Sequence, residues 1–320
     1  MSDRLSLRVV RREPLAGRIV ALTLASADGN ALPPFEAGAH IDVLTPSGHT
    51  RQYSLCNAPD TATQVYRIAV QEEAESRGGS RAMCRDVREG DLLEVGAPRN
   101  LFPLAPGTRR AILLAGGIGI TPLLAMAHAL HQAGIDFVLH HACRSRPAGA
   151  FVEELLAASF AERVRLHFDD EGPALDLAGV LADPCDGDHL YVCGPSGFIQ
   201  WALDTARQLH WPDGQVHREF FAPAEPAVVA ADGAFEVELA VSGKVLQVPA
   251  DRSIASVLLA HGVPLAMSCE QGVCGTCVTT LLAGEADHRD SYLTDADRER
   301  GDTILPCCSR ARSARLVLDL

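Results

Sequence analysis

Four cysteines constrain the fold of this chain more than any other feature of its sequence. Cys269, Cys274 and Cys277 have C-x4-C-x2-C spacing, and Cys307 follows 30 positions after the third of them. Four thiolates in this order are a ligand pattern of a [2Fe-2S] cluster, in which three ligands share one loop and the fourth comes from later in the chain. Small residues between the three cysteines allow backbone N–H groups to approach the sulfur atoms. The pattern therefore predicts a cluster-binding loop and one-electron chemistry.

A zinc site and a set of unrelated buried cysteines are the alternatives to a cluster. Zinc sites usually combine C-x2-C with a second closely spaced pair of ligands, and the adjacent Cys307 and Cys308 do not make such a pair. Either of these two cysteines could supply the fourth ligand. We predict Cys307, because Ile304 and Leu305 resemble the apolar residues that precede the last ligand of plant-type ferredoxins.

The length and charge of the chain exclude several classes of protein. At 320 residues the chain exceeds the usual size of a single core, so two or three domains are expected. Its formal net charge of −13 argues against nucleic-acid binding, which depends on neutralising phosphates. No apolar run approaches the roughly 18 residues of a membrane span, and residues 1–15 contain charges where a signal peptide needs an apolar core. We expect a cytoplasmic protein that binds neither membrane nor nucleic acid.

Three stretches of the chain differ in their hydrophobic pattern. Residues 5–100 contain short alternating strands separated by turn residues, which is typical of an antiparallel barrel. From Arg110 onwards, apolar strands alternate with helices at about 121–133 and 151–160, which favours a doubly wound parallel sheet. Small residues and prolines in 222–233 indicate a linker, and a hairpin followed by a helix then begins a small α+β fold.

A glycine-rich turn follows the first apolar strand of the second stretch. The run Leu114-Ala-Gly-Gly-Ile-Gly-Ile-Thr-Pro122 ends that strand and opens a helix, so its N–H groups can bind a pyrophosphate. A later strand ends at Tyr191-Val-Cys-Gly-Pro195, at the edge where ligands of open α/β sheets collect. The glycines of 114–122 could instead serve tight packing of the strand on the helix. The run 191–195 could instead be an ordinary end of a strand.

Two runs in the barrel stretch could hold a phosphate and a planar ring. Arg51-Gln-Tyr-Ser-Leu55 alternates a cation with an aromatic ring and a hydroxyl, so the guanidinium could bind a phosphate while the phenol lies against a ring. Arg77-Gly-Gly-Ser80 could form an anion-binding nest of N–H groups beside that arginine. A surface strand and an ordinary loop are the alternatives.

The order of these motifs resembles one family of reductases. R-x-Y-S-L, R-G-G-S, G-G-I-G-I-T-P, Y-V-C-G-P and C-x4-C-x2-C occur in the order of the phthalate dioxygenase reductase family, and the resemblance covers nearly the whole chain. It implies a multidomain protein: an antiparallel β-barrel that binds FMN in residues 1–104, a doubly wound α/β domain for NAD(P) in 105–225, a linker in 226–234, and an α+β ferredoxin domain of the β-grasp type in 235–320. The C-terminal position of the cluster domain favours FMN over FAD.

The resemblance also implies roles for individual residues. Arg51, Gly79 and Ser80 hold the FMN phosphate, while Tyr53, Ser54 and Val70 line the isoalloxazine. Phe221 covers the flavin ring. The coenzyme residues are Gly116, Gly117, Ile118, Gly119, Thr121, Arg144, Cys193 and Gly194. The residues expected to act in catalysis are Ser54, Thr121 and Cys193.

A chain of carriers explains why such motifs would occur in one protein. NAD(P)H gives up two electrons as hydride, an iron–sulfur cluster accepts one, and a flavin can separate the pair. The segment Cys143-Arg-Ser-Arg146 contains no carboxylate that could bind the ribose of NADH, and this pattern by itself indicates NADPH. The family resemblance nevertheless favours NADH. The resemblance implies a Rieske-type oxygenase or O-demethylase of aromatic acids as acceptor. A cytochrome P450 acceptor, an iron–sulfur redox sensor and an adaptor with a structural cluster are the alternatives.

Overall fold

The computed structural model describes residues 4–60, 63–73, 78–221, 233–267 and 269–320. The chain forms two compact units that divide between Glu219 and Phe220. Residues 226–232 of the predicted linker lie outside the described residues, so the predicted domain boundaries stay predictions. Among the helices that the structure describes, none is both long and apolar enough to cross a membrane.

The first part of the first unit is a curled antiparallel sheet. Its strands are β1 (Leu5–Ala16), β2 (Ile19–Ser26), β3 (Ala39–Leu44), β4 (Thr50–Ser54), β5 (Val65–Gln71), β6 (Leu92–Val95) and β7 (Arg99–Asn100), with helix α1 (Gly79–Arg85) between β5 and β6. They pair in the order β4-β3-β6-β1-β2-β5, and β7 pairs with β3. A bridge between Leu55 and Ile68 brings the chain after β4 back to β5 and closes the barrel. Alternate residues such as Leu7 and Val9 are buried, as the period-two pattern predicts.

The second part of the first unit is a parallel sheet. Its strands are β8 (Arg110–Gly116), β9 (Asp136–Cys143), β10 (Val164–Phe168), β11 (Asp188–Cys193) and β12 (Val216–Glu219), and they lie in the order β10-β9-β8-β11-β12. All of the pairs are parallel, so every strand ends at the same edge. The strand order reverses beside β8, and a ligand of such a sheet binds at that switch point.

Helices cover this parallel sheet. They are α2 (Ile120–Gln132), α3 (Val152–Ala157), α4 (Leu177–Val180) and α5 (Ser196–Gln208). Leu113 and Tyr191 pack in the core that contains α2, and their neighbours Ile112 and Val192, whose side chains point to the opposite face, are also buried. Both faces of the sheet are therefore covered, as the doubly wound prediction requires.

The helix predicted at about 151–160 was too long. Helix α3 ends at Ala157, and Ala158 has the extended backbone angles φ −68° and ψ 152°. Leaving the helix there turns Phe160 into the core, where its ring centroid lies 5.7 Å from that of Phe137 and 5.1 Å from that of His128. Burial of this aromatic side chain outweighs the loss of a further helical turn.

The second unit is a small α+β fold. Its strands are β13 (Phe235–Leu239), β14 (Lys244–Val248), β15 (Thr279–Ala283), β16 (Ala286–Asp287), β17 (Thr303–Ile304), β18 (Arg310–Ala311) and β19 (Arg315–Leu318), with helices α6 (Ile254–Ala260) and α7 (Asp295–Arg300). A mixed sheet has the order β14-β13-β19-β15-β17, in which β13 and β19 are parallel. Helix α6 buries Ile254, Val257 and Leu258 in the core of this unit. This topology is the predicted β-grasp ferredoxin fold.

Candidate functional site

The predicted catalytic residues Ser54 and Cys193 lie where the barrel meets the carboxyl edge of the parallel sheet. Ser54 is the last residue of β4, and its hydroxyl donates to Oε2 of Glu219 at 3.5 Å. Glu219 ends β12, directly opposite Cys193, the last residue of β11. Thr121 is buried in the first turn of α2, where its hydroxyl donates to the carbonyl of Ile118 at 3.1 Å.

The two predicted nucleotide motifs come together at this edge. Gly116 ends β8, and the next three residues form a 3-10 turn that leads into α2. A Cβ on Gly119 would overlap the carbonyl of Cys193, and a Cβ on Gly194 would lie 2.9 Å from Cα of Gly116. Gly117 has φ +53°, in the left-handed region that favours glycine. Glycine is therefore required here by close approach of two strand ends as well as by backbone conformation.

The N-terminus of α2 has no side-chain cap from its N-cap residue, Gly119, and its first residues, Ile120 to Pro122, are buried. The N–H of Ile120 already donates to the carbonyl of Gly117, and Pro122 has no N–H, so few donors of the first turn remain for a ligand. The positive end of the dipole of this 13-residue helix still favours an anion beside the turn. A pyrophosphate is the part of the predicted coenzyme that this dipole would attract.

Three residues predicted to hold the FMN phosphate are neighbours in the barrel. The side chain of Arg51 packs over Gly79. A Cβ on Gly79 would lie 3.1 Å from the Cγ and Nε atoms of Arg51. Ser80 follows in α1, and its hydroxyl accepts from the N–H of Glu73 at 3.2 Å. Arg77, from the same predicted nest, lies outside the described residues.

Tyr53 and Val70 lie near one thiol of the barrel. The Cys84 thiol donates to the carbonyl of Val70 at 3.5 Å. Burial raises the pKa of Tyr53, the Cys84 thiol adds to the increase, and Arg51 opposes it. The Tyr53 hydroxyl is buried, and within the described ranges it has no hydrogen-bond partner. A buried polar atom of this kind usually finds a partner, and a polar flavin at this position would supply one.

Glu219 is a functional candidate that the sequence analysis missed. Although the residue is only partly shielded from solvent, surrounding atoms enclose its carboxylate, and this desolvation raises its pKa to about 8 against the opposing hydrogen bond from Ser54. The Cys193 thiol has a raised pKa too, mainly through burial and then through the charge of Glu219. At neutral pH Glu219 therefore holds a proton. Glu219 lies in the run His217-Arg-Glu-Phe-Phe221, of which the family resemblance assigned a role only to the last residue, Phe221.

Two further predicted cofactor residues, Phe221 and Arg144, are exposed. Phe221 belongs to the second unit and is 38% exposed, so its place over a flavin stays a prediction. Arg144 is exposed just after β9. Nearby Arg146 lies over the ring of Phe168 and 3.6 Å from Glu171, so its charge is already partly matched.

The predicted cluster ligands lie in the second unit as two pairs of thiols. Cys269 lies close enough to Cys274, and Cys277 close enough to Cys307, for each thiol to shift the pKa of its partner. No group of three or more His, Cys, Asp or Glu side chains in the described residues is arranged to hold a single metal ion. Two pairs are the arrangement that a cluster with two irons requires, since each iron takes two thiolates.

The backbone around these thiols also fits a cluster. We define residues 269–277 as the cysteine loop. Its N–H groups point at sulfur: that of Gln271 lies 3.4 Å from Sγ of Cys269, and that of Thr276 lies 3.5 Å from Sγ of Cys274. Such N–H groups stabilise the negative charge of a cluster and tune its potential.

The two candidates for the fourth ligand differ in position. Cys307 lies beside the thiol of Cys277 and the backbone of Gly272, both of which act to lower its pKa, and beside Cys308, which acts to raise it. Cys308 instead directs its thiol towards the carbonyl of Leu305 at 3.8 Å, and it lies so close to Gly272 that a Cβ there would overlap its sulfur. The geometry of the loop favours Cys307.

Comparisons with known proteins agree with this arrangement. A family model described as "2Fe-2S iron-sulfur cluster binding domain" matches residues 237–312. The vanillate O-demethylase oxidoreductase of Pseudomonas sp. (strain HR199 / DSM 7063) is 52% identical to this chain over 309 residues, which cover 96% of each protein.

Two solved structures are similar to this chain over nearly its whole length. Phthalate dioxygenase reductase, described as a modular structure for electron transfer from pyridine nucleotides to [2Fe-2S], is 41% identical with a TM-score of 0.76, and the match covers 99% of this chain and 98% of that one. An intact type IV self-sufficient cytochrome P450 monooxygenase is 39% identical with a TM-score of 0.85, and the match covers 99% of this chain but 41% of that one.

Proposed function

The chain belongs to the phthalate dioxygenase reductase family, and we propose that it takes electrons from NADH and passes them through FMN and a [2Fe-2S] cluster to an oxygenase of aromatic acids. It is an oxidoreductase that contains a flavin-type barrel, a nucleotide-type sheet and a ferredoxin fold. The relative of highest identity given above is named for vanillate O-demethylation. An aromatic acid with a methoxy group is accordingly the first substrate class to test with the partner oxygenase.

The observation that carries this proposal is the junction of Ser54 and Glu219. Strand β4 of the barrel carries the R-x-Y-S run, and the hydroxyl of its last residue, Ser54, lies 3.5 Å from Oε2 of Glu219 at the end of β12. The neighbouring parallel strand, β11, ends at Cys193. A planar ring against Tyr53 and Ser54 would then lie beside the ligand edge of the nucleotide sheet. Such an arrangement suits hydride transfer, which requires two rings in contact.

Residues of the chain have distinct tasks in this proposal. Arg51, Gly79 and Ser80 bind the phosphate of FMN, while the turn from Gly116 to Gly119 and α2 bind the pyrophosphate of the coenzyme. FMN held by these residues would supply the chemistry that links a two-electron hydride donor to a one-electron acceptor. Glu219 holds a proton beside Ser54 and Cys193, so this junction is neutral when negative charge arrives on the flavin.

NADH is the coenzyme that we propose. The segment after β9 contains arginines, of which Arg146 is engaged by Glu171 at 3.6 Å and by the ring of Phe168. A cation that is already matched offers less to a 2′-phosphate. Asp169 follows β10, with its N–H bonded to the carbonyl of Cys143, so a carboxylate from the next strand lies beside this segment. Steady-state rates with each coenzyme test this choice, and a clear preference for NADPH would contradict it.

The partner that we propose is an oxygenase of the Rieske type, in agreement with the family that the motifs predicted. The self-sufficient P450 structure supports a second candidate, in which the electrons go to a P450 haem. Relatives matched over nearly their full length favour the first candidate, because their names refer to an O-demethylase and a dioxygenase rather than to a P450. We also propose a cytoplasmic location, which is supported by ten free cysteines that suit a reducing compartment.

The test of this function uses the purified full-length protein. Released flavin is identified by chromatography, and NADH oxidation is followed with a one-electron acceptor. We expect FMN, and we expect its removal to abolish both NADH oxidation and reduction of the cluster. Reduction of the cluster by NADH in flavin-free protein would overturn the proposal. Reconstitution with a Rieske oxygenase and, separately, with a P450 then distinguishes the two acceptors.

A further inference from the structure

Three charged or titratable side chains meet in the second unit around one, Asp290, that is fully buried. Asp290 has a fully buried side chain, His288 keeps 13% of its side-chain surface exposed, and Arg298 of α7 keeps 35%. We call these three residues the buried charge cluster. Burial of an ionised side chain is costly unless it is paired and hydrogen-bonded, so such a group requires an explanation.

Asp290 is held from several directions. Its Oδ1 accepts from the N–H groups of Tyr292 at 3.1 Å and Leu293 at 2.7 Å. Arg298 donates to the backbone carbonyl of Asp290 at 2.6 Å and lies 3.8 Å from Oδ1. Nδ1 of His288 lies 3.7 Å from Oδ2. The carboxylate therefore fixes the turn that follows it and is itself fixed by α7.

The pairing within this group is incomplete. Oδ2 of Asp290, Nδ1 of His288 and Nε of Arg298 are buried, and none has a hydrogen-bond partner within the described ranges. Charges interact more strongly in the low effective dielectric of a protein interior than they do in water. An apolar turn of the same shape would avoid this cost, so support of the turn explains the hydrogen bonds of Asp290 but not the presence of two opposite charges.

The turn that Asp290 fixes lies directly on the cysteine loop. The N–H of Ser291 donates to the carbonyl of Gly272 at 3.0 Å, and a Cβ on Gly272 would lie 3.0 Å from Cα of Asp290. A Cβ on Gly275 would overlap the ring of Tyr292. Leu293 packs in the same apolar cluster as Cys277. Gly272 is also the residue whose backbone lies beside the Cys307 thiol.

His288 contributes little charge of its own at neutral pH. Burial lowers its pKa, Arg298 and Arg312 act in the same direction, and Asp290 and Asp287 oppose them. The charged groups of the buried charge cluster at neutral pH are therefore the carboxylate of Asp290 and the guanidinium of Arg298, and Glu270 adds a carboxylate within the cysteine loop itself.

We propose that Asp290 is a positioning residue for the cysteine loop and that the opposite charges of Asp290 and Arg298 set the reduction potential of the cluster. This inference rests on the proposed function, because it concerns the cluster that the loop binds. Reduction transfers one electron from the flavin, or from an added reductant, to the cluster and makes it more negative by one charge. A neighbouring carboxylate opposes that change and a neighbouring guanidinium favours it.

The test measures the reduction potential of the cluster in the full-length holoprotein by spectroelectrochemistry. Asp290→Asn keeps the acceptor for Tyr292 and Leu293 but removes the negative charge, so the reduction equilibrium should shift about threefold or more towards the reduced form. Arg298→Gln removes the positive charge and should shift it by a similar factor in the opposite direction. A threefold shift is about 28 mV for one electron. Arg300→Gln, at an exposed position of the same helix, is the control and should shift it much less.

Opposite shifts distinguish electrostatic tuning from mere support of the fold. A merely structural role would move both variants in one direction or not at all, and either result would overturn the inference. If Asp290→Asn does not retain the cluster, Arg298→Lys serves as its replacement: it keeps the charge and should keep the potential, whereas Arg298→Gln should not. Equal potentials in those two variants would also overturn the inference. Wild-type protein without a [2Fe-2S] absorption spectrum would instead overturn the proposed function.

Discussion

The hydroxyl of Ser54 lies 3.5 Å from Oε2 of Glu219, and this contact joins the end of a barrel strand to the end of a strand of the parallel sheet. Cys193 lies directly opposite Glu219 in the neighbouring strand. Three side chains from distant parts of the chain thus surround the position that we propose for the reacting rings. Burial keeps this junction neutral at pH 7, because it raises the pKa of both the Glu219 carboxyl and the Cys193 thiol.

The protonation of Glu219 should determine how flavin reduction depends on pH. Its raised pKa of about 8 means that the carboxyl is protonated below pH 8 and becomes negative above it. Negative charge beside the flavin opposes arrival of a hydride, so the wild-type rate should fall about tenfold between pH 7 and pH 9. Glu219→Gln cannot ionise and should show little of this decrease. Stopped-flow absorbance with NADH measures the rates.

Glu162→Gln is a suitable control for that experiment, since Glu162 is exposed. It should keep the alkaline decrease of the wild type. The same decrease in Glu219→Gln would show that another group titrates, and the assignment of the proton to Glu219 would then be wrong.

Gly119 should not tolerate a side chain. A Cβ at this position would overlap the carbonyl of Cys193, so Gly119→Ala must separate the glycine turn from the end of β11. We expect KM for NADH to rise about tenfold or more and the thermal midpoint to fall. Gly197→Ala is the matched control, because a Cβ there meets no atom within 4 Å and alanine suits the exposed first turn of α5. Similar KM values in both variants would contradict the close approach.

Arg51 should bind the phosphate of FMN rather than its ring. Arg51→Gln removes a charged hydrogen-bond donor, and we expect the affinity of the apoprotein for FMN to fall roughly tenfold to a hundredfold. Riboflavin has no phosphate, so its affinity should hardly change. Quenching of flavin fluorescence measures both affinities, and Arg11→Gln at an exposed position of β1 is the control. An equal loss for FMN and riboflavin would place Arg51 at the ring or in a structural role.

The adjacent cysteines Cys307 and Cys308 should respond differently to replacement. Cys307 lies beside the thiol of Cys277, so Cys307→Ser should lose the cluster absorbance and most of the iron, whose content we expect to be about two atoms per chain in the wild type. Cys308→Ser should keep both. Retention of the cluster in Cys307→Ser together with its loss in Cys308→Ser would reverse the assignment.

Local patterns predicted much of this fold. Neighbouring segments of the sequence form the apolar strand that ends at Gly116, the glycine turn and the following helix. The turn requires glycine at position 117, because the backbone there has a positive φ. The cysteine loop could also be predicted from the sequence, because three of the four predicted cluster ligands lie within nine residues. The helix predicted at 151–160 was wrong in length because the core takes Phe160, a tertiary effect that helical propensity does not contain.

Long-range contacts account for what the sequence could not predict. Glu219 is a functional candidate because it contacts Ser54, which lies 165 positions earlier in the chain. The sequence around either residue does not indicate this contact. Asp290 lies in the charged run His288-Arg-Asp, and its neighbours in sequence do not indicate that its carboxylate is buried. Only the packing of its turn on Gly272 and the approach of α7 show that its carboxylate is buried.

The most direct test of the whole account is an anaerobic titration of the purified protein with NADH, followed by absorbance and electron paramagnetic resonance. The account predicts that roughly three electrons enter each chain, two on the flavin and one on the cluster, and that the signal of a reduced [2Fe-2S] cluster appears only when flavin is bound. An uptake of two electrons with a cluster that stays oxidised under excess NADH would contradict it.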